Sequence, residues 1–175
     1  MKDYLTTLHQ KVFFFATKIK KRSSNNIILQ CGTILNCEIF NERLPKSNYL
    51  VVFILTLGKG IDDELRKISD KLDEPLGAIF LENAAWLALE LIIREARLKV
   101  IKFAYSKNLE IENRMAPGNY YPSKKLKKRI IWNLEEQLLL FKLFDQSMIS
   151  LSLTDSFTMI PRMSRSGIFG LKNKS

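Results

Sequence analysis

The sequence predicts an α+β domain, on three observations. Residues 49–58, YLVVFILTLG, are a continuous apolar run rich in strand formers, as expected of a central strand buried on both faces. Residues 77–104 follow one long helical pattern, apolar nearly all round from Ala78 to Ile93, which predicts a helix buried at the centre of the fold. Strands and long helices are mixed without the regular alternation of βαβ units, which argues against a doubly wound parallel sheet. A chain of 175 residues is long enough for one domain with its own core, or two small lobes sharing it.

Residues 3–22 read as an amphipathic helix whose late cations, Lys18, Lys20, Lys21 and Arg22, suit the negative end of a helix. SSNN at 23–26 ends it, so the expected division is an N-terminal helix and linker, 1–26, and a domain, 27–175. IILQCGTILNCEIF predicts two short strands around Gly32 and Thr33. After the apolar strand comes a helix over about 61–72, with Ile61, Leu65, Ile68 and Leu72 on one face and Asp62, Asp63 and Glu64 at its positive end. The last third of the long helix, with Arg94, Arg97, Lys99 and Lys102, should emerge into solvent. Residues 109–118, LEIENRMAPG, read as a strand running into a turn. A third helix is expected from Asn133, where Asn133 and Glu136 make a capping-box pattern. The tail from 151 alternates like a strand, breaks at Pro161 and resumes near Ser166–Gly170.

Apolar residues make up 46% and charged residues 26%, a globular composition. The formal net charge of +10 predicts attraction to acidic partners, whether nucleic acid, anionic membrane or acidic protein. Cys31 and Cys37 are expected on one face of a strand, too far apart to bridge, as reduced packing residues of a cytoplasmic protein. KVFFFATKIKKR has charge on both sides of its apolar run and no cleavage site after it, unlike a secretory signal. No uncharged apolar run reaches the roughly 18 residues of a membrane span, so no membrane partner is expected. With His9 as the single histidine, a histidine-based metal cluster and a Ser-His-Asp triad are excluded, and His9 is expected on a helix surface. No GxGxxG or GxxxxGK[ST] occurs, and Gly58 and Gly60 read as a plain strand-to-helix turn.

Three features remain. KKLKKR puts five positive charges in the six residues 124–129, either a docking patch for an acidic surface or a solvated face. Tyr120, Tyr121 and Trp132 flank it as candidate stacking residues, which keeps nucleic acid as a lesser alternative. Glu90 lies within WLALELII, where a carboxylate is costly unless it is partnered, faces a ligand or escapes on a polar stripe. Arg114 precedes an Ala-Pro-Gly turn; a guanidinium grips carboxylates with paired hydrogen bonds, and small residues let a ligand approach the backbone.

RMAPG, a tryptophan fourteen residues after its glycine, and LTDSFTMIPRMSRSG together closely resemble the activation domain of cobalamin-dependent methionine synthase. LVVFILTLGKGIDDELRKI and the helix bearing Glu90 also look like the stand-alone activation subunits of anaerobic bacteria. The likeness covers roughly residues 27–170, and its two C-terminal motifs are specific in combination.

The resemblance implies a C-shaped fold with a central twisted, mainly antiparallel sheet and a long buried helix. It implies a bound S-adenosylmethionine whose methyl group traps cobalamin that an electron donor such as flavodoxin has reduced. The implied partners are thus an acidic electron donor and a cobalamin-binding methionine synthase or related corrinoid protein. The chain lacks the Asp-x-His-x-x-Gly motif and zinc-binding cysteines of that enzyme's other domains, so it would act in trans. The cofactor-binding residues carried over are Arg114, Ala116, Gly118, Tyr120, Glu90, Ser164, Ser166 and Gly167. Arg114 would take the methionine carboxylate and Glu90 the ammonium. Departures are Asn119, where the family has tyrosine after Pro-Gly, and Phe169, where a hydroxylated aromatic is often found. The family's N-terminal acidic contributor has no clear match, Asp3 and Glu38 being poor candidates. The alternatives are a docking or scaffold protein of the same fold that has lost the ligand, and a basic nucleic-acid-binding module.

Overall fold

A computed structural model describes residues 10–70 and 75–174. Strands are β1 (Lys11–Arg22), β2 (Asn26–Leu29), β3 (Ile34–Asn36), β4 (Tyr49–Thr56), β5 (Leu109–Met115), β6 (Tyr120–Ser123), β7 (Lys128–Ile131), β8 (Ser152–Leu153), β9 (Met159–Ile160) and β10 (Ser164–Asn173). Helices are α1 (Phe40–Arg43), α2 (Lys59–Ser69), α3 (Pro75–Ser106) and α4 (Gln137–Phe141), the last preceded by a 3₁₀ turn, Leu134–Glu136.

Six strands form one sheet in the order β3-β2-β1-β4-β10-β5, with every neighbouring pair antiparallel. β4 is central, as its composition predicts, and it is buried on both faces. Val51, Phe53 and Leu55 point toward α2 and α3, where they meet Leu89, Ile93 and Phe169. Leu50 and Val52 point the other way, into a core with Phe40, Trp132 and Leu140. A sheet covered on both sides gives a continuous apolar strand, not an alternating one. Each fully buried Leu, Ile or Phe side chain contributes about 1.5–3 kcal/mol.

The N-terminal expectation fails over the described residues. Residues 11–22 form a strand, β1, and not a helix. From Phe14 to Lys20 the side chains alternate between exposed and half-buried, the period of two that a strand requires. β1 pairs with β4 from Lys11↔Thr56 to Lys18↔Tyr49. Those backbone bonds satisfy an edge of β4 that would otherwise be buried without partners. β1 lies inside the same sheet as the rest, so residues 11–26 are part of that body. His9 and Asp3 lie outside the described residues.

The two cysteines do not share a strand. Cys31 is exposed in the turn between β2 and β3, and Cys37 is buried beyond β3. Both are free thiols, and burial pushes the Cys37 thiol up from its ordinary pKa.

The long helix is present but is not buried at the centre. Its inner stripe, including Ala85, Leu89, Ala96 and Val100, packs on the sheet. Its outer stripe is open: Phe80 is 72% exposed, Leu87 69%, Leu91 61% and Leu98 53%. Two apolar stripes on opposite faces look like one all-round apolar helix in sequence, yet only one of them meets the sheet. By length and composition alone this helix could span a membrane. Arg94, Arg97, Lys99 and Lys102 are exposed as expected.

The expected capping box at Asn133 does not form, since Asn133 makes no side-chain cap. The Glu136 carboxylate instead accepts the Asn36 N–H at 2.7 Å and the Asn36 side-chain amide at 3.1 Å, tying α4 to β3. The lysine run forms the turn of the β6–β7 hairpin over residues 124–127 and the first two residues of β7, Lys128 and Arg129.

Candidate functional site

A cleft of about 470 Å³ opens where α3, the end of β5, the turn after it and the start of β10 meet. That volume is in the range of ligand pockets, about 300–1,000 Å³. Arg114 enters from β5 and Glu90 from α3, and their charged groups stand 3.6 Å apart. Glu90 is thus neither buried nor free; its side chain is 58% exposed and faces Arg114 across the cleft. The pair leaves room for hydrogen bonds on both groups.

The turn that follows Arg114 has a clear local cause. Pro117 presets φ for the first central position, and Gly118 takes φ +81°, which the second position of a type II turn requires. The Asn119 N–H closes the turn on the Ala116 carbonyl at 3.4 Å. Trp132 then pins it. The Gly118 N–H donates to the Trp132 carbonyl at 2.6 Å, and the Trp132 N–H donates to the Asn119 carbonyl at 3.1 Å. The fourteen-residue spacing from Gly118 to Trp132 is therefore the length of the β6–β7 hairpin, whose first pair is Tyr120↔Ile131. Tyr121 braces the turn from the other side, its hydroxyl accepting the Ala116 N–H at 2.7 Å. Burial raises the pKa of that hydroxyl.

Ser164 and Ser166 line the cleft, but their hydroxyls are already engaged. Ser164 donates to the Pro161 carbonyl at 2.6 Å and lies 2.8 Å from the Thr56 hydroxyl. Ser166 donates to Gln137 Oε1 at 2.9 Å, and Gln137 Nε2 donates to the Phe157 carbonyl at 2.6 Å. These bonds join β10, β4 and α4 into a fixed wall.

Of the residues expected at the site, Arg114, Glu90, Ala116, Ser164 and Ser166 come together around this cleft. Gly118, Tyr120 and Gly167 are not among its lining residues. Gly118 shapes the turn. Tyr120 is 58% exposed on the outer face of the hairpin, with Arg129 over its ring at 5.4 Å. Gly167 packs between strands, where an added Cβ would meet the Met115 carbonyl at 2.5 Å and Phe53 at 2.8 Å. Asn119, at the position of the family's tyrosine, lines the cleft. Phe169 does not; it is fully buried beside Phe53, with ring centroids 4.9 Å apart, where a hydroxyl would find an apolar core.

The sequence reading missed Trp86, Arg162 and Arg165 as lining residues. Arg165 lies over the Trp86 ring at 4.3 Å, and Arg162 pairs with Glu82 at 3.1 Å. Burial lowers the Arg165 pKa, Glu90 opposes that shift and Arg114 adds to it. Three guanidiniums and one carboxylate make the cleft cationic, suited to a ligand carrying a carboxylate. The alternation around Arg165 in SRSG was the available signal. Trp86 gave none, because an aromatic in a helix that is apolar nearly all round reads as a packing residue.

Among the aromatics flanking the lysine run, Trp132 is fully buried and Tyr121 is held by Ala116. Tyr120 alone of the three is exposed, which removes most of the basis for base stacking.

No protein-family model and no curated protein matches this sequence. Among solved structures, the chain is similar to the crystal structure of the MetH reactivation domain bound to AdoHcy, with a TM-score of 0.67 at 18% identity. The match covers 98% of this chain and 61% of that one, so the chain spans about three fifths of its length. The fold is therefore that of the reactivation domain: a mixed α+β body with a large antiparallel sheet and a long helix.

Proposed function

We propose that the chain binds S-adenosylmethionine and acts in trans as the activation subunit of a cobalamin-dependent methionine synthase or related corrinoid methyltransferase. The observation that carries this is the convergence of Arg114, Glu90, Ala116, Ser164 and Ser166 on one cleft. The fold is shared with a domain solved with AdoHcy, which supports the same assignment.

The residues fit the ligand. Arg114 offers a guanidinium to the methionine carboxylate, and Glu90 offers a carboxylate to the ammonium. Trp86 supplies an aromatic face, and the Pro117–Gly118 turn supplies backbone that a ligand can approach. When bound, the sulfonium supplies a methyl group to a reduced corrinoid that the partner holds, and the electron comes from an acidic donor such as a flavodoxin. The protein's contribution is placement, since no acid–base step is needed. Two free thiols suit a cytoplasmic location.

Titration calorimetry tests the assignment. Wild type should bind S-adenosylmethionine, and Arg114→Ala should bind about 10- to 150-fold more weakly, the loss of roughly 1.5–3 kcal/mol for a charge-assisted hydrogen bond. Absence of binding by wild type would sink the ligand claim. The second possibility is a docking protein of the same fold without a ligand. Asn119 in the tyrosine position and the internally engaged serines favour it. It predicts a complex with a corrinoid protein that forms equally well with and without S-adenosylmethionine.

A further inference from the structure

The outer face of α3 is an extended apolar surface that the proposed function leaves unused. Its outward positions run from Phe80 through Leu87, Leu91 and Leu98 to Tyr105 in alternating steps of four and three residues. That is the 3.5-residue repeat of a two-helix seam, sustained for about four heptads. An isolated surface helix needs only one apolar stripe, and α3 already spends its inner stripe on the sheet. Every outward position in the run is apolar except Arg94.

Charge along α3 is segregated. Residues 75–93 carry Glu82 and Glu90 and no cation; residues 94–106 carry Arg94, Arg97, Lys99 and Lys102 against the single acid Glu95. Parallel copies would set cation against cation. Antiparallel copies set the acidic half of one against the basic half of the other. Glu82 and Glu90 pair within the chain to Arg162 and Arg114, yet their side chains stay 40% and 58% exposed.

We infer that the outer stripe of α3 is the interface of a two-fold antiparallel dimer of this chain. In the register that aligns the apolar positions, Leu87 of one copy faces Leu98 of the other, Phe80 faces Tyr105, and Leu91 faces Arg94. Arg94 is then the one polar position in the seam, placed beside Glu90 of the other copy, and it fixes the register. A helix of 32 residues is about 48 Å long. Such a contact covers on the order of 800 Å² per copy, the size that stable pairs bury.

Sedimentation equilibrium and disulfide trapping test the dimer. Wild type should sediment at twice the chain mass at micromolar concentration, and Leu87→Lys, which sets a cation against Leu98 in the basic half of the other copy, should abolish the dimer while leaving the circular dichroism unchanged. In a Cys31→Ser background, Leu87→Cys combined with Leu98→Cys should oxidise to a covalent dimer, and Leu87→Cys alone should not. The two positions lie about 16 Å apart on one helix, beyond the roughly 7 Å Cα reach of a disulfide, so the link must be between copies. A wild type that stays monomeric overturns the inference, as does a dimer that survives Leu87→Lys. So does crosslinking by Leu87→Cys alone, which would mean parallel pairing. A monomer that floats with phosphatidylcholine–phosphatidylglycerol vesicles would also overturn it and assign the face to lipid.

Discussion

Gly167 lies where β10 passes between β4 and β5, paired with Phe53 on one side. A methyl group there would press on the Met115 carbonyl, which is backbone and cannot swing away. Gly167→Ala should therefore destabilise the fold by about 1–3 kcal/mol, the usual cost of overpacking, as read from the midpoint of urea unfolding at unchanged slope. Glu42 shows a residue effect that depends on pH. Its carboxylate accepts hydrogen bonds from the Ser123 hydroxyl and the Lys124 N–H, and the Ser123 bond is the main cause of its lowered pKa. A lowered folded pKa means that the tie between α1 and the hairpin is fully present above the ordinary carboxylate value, near 4.3, and is lost as pH falls through the folded value. Carbon-13 titration of Glu42 should give a midpoint below the ordinary value that moves back up in Ser123→Ala; an unmoved midpoint would contradict this. The sequence singled out Arg114 and Glu90 through residue chemistry, a guanidinium before a turn and an acid in an apolar helix. It was silent on Gly167 as a packing residue, because the Met115 carbonyl that makes glycine necessary comes from another strand.

The β6–β7 hairpin and the turn before it behave as one element. The Tyr121 hydroxyl accepts the Ala116 N–H, and the Trp132 backbone holds Gly118 and Asn119, so the rim of the cleft is set by the hairpin behind it. Tyr121→Phe leaves the part-buried Ala116 N–H without that partner. It should cost about 1–3 kcal/mol of stability and should weaken S-adenosylmethionine binding without touching the ligand; thermal melting and calorimetry on the same variant separate the two effects. Burial raises the pKa of Tyr121, so the folded state favours the neutral phenol, and the stability this contributes is fully present below the ordinary tyrosine value near 10 and is lost as pH rises through the folded value. The elements that were legible in sequence are those whose partners are local or whose composition is extreme. β4 is apolar at every position between Tyr49 and Thr56, and α2 has a one-sided apolar stripe with Asp62 in its first turn. β1 was misread because its phenylalanines and lysines fit a helix face as well as a strand face. What decided between them was the open edge of β4, about thirty residues further along the chain.

At the scale of the whole molecule, the net charge of +10 sets a long-range field. Association with the acidic electron donor proposed above should slow by roughly tenfold or more between about 0.05 and 0.5 M salt, as screening shortens the reach of that field. Stopped-flow mixing at several salt concentrations would measure it, and a flat profile would argue against electrostatic steering. Five of the cations lie in the β6–β7 hairpin, and none of them is among the residues that line the cleft. By itself the sequence determined the α+β class, the central strand and the strand-to-turn passage at Arg114. Each of these rests on local periodicity or on the conformational limits of proline and glycine. The tertiary structure alone decided that residues 11–22 are a strand, that one face of α3 is open, and that Ser164 and Ser166 spend their hydroxyls within the wall. Those outcomes depend on which surfaces meet across long stretches of chain, and hydrophobic burial, being non-directional, leaves no mark in sequence of which of two apolar faces will be covered.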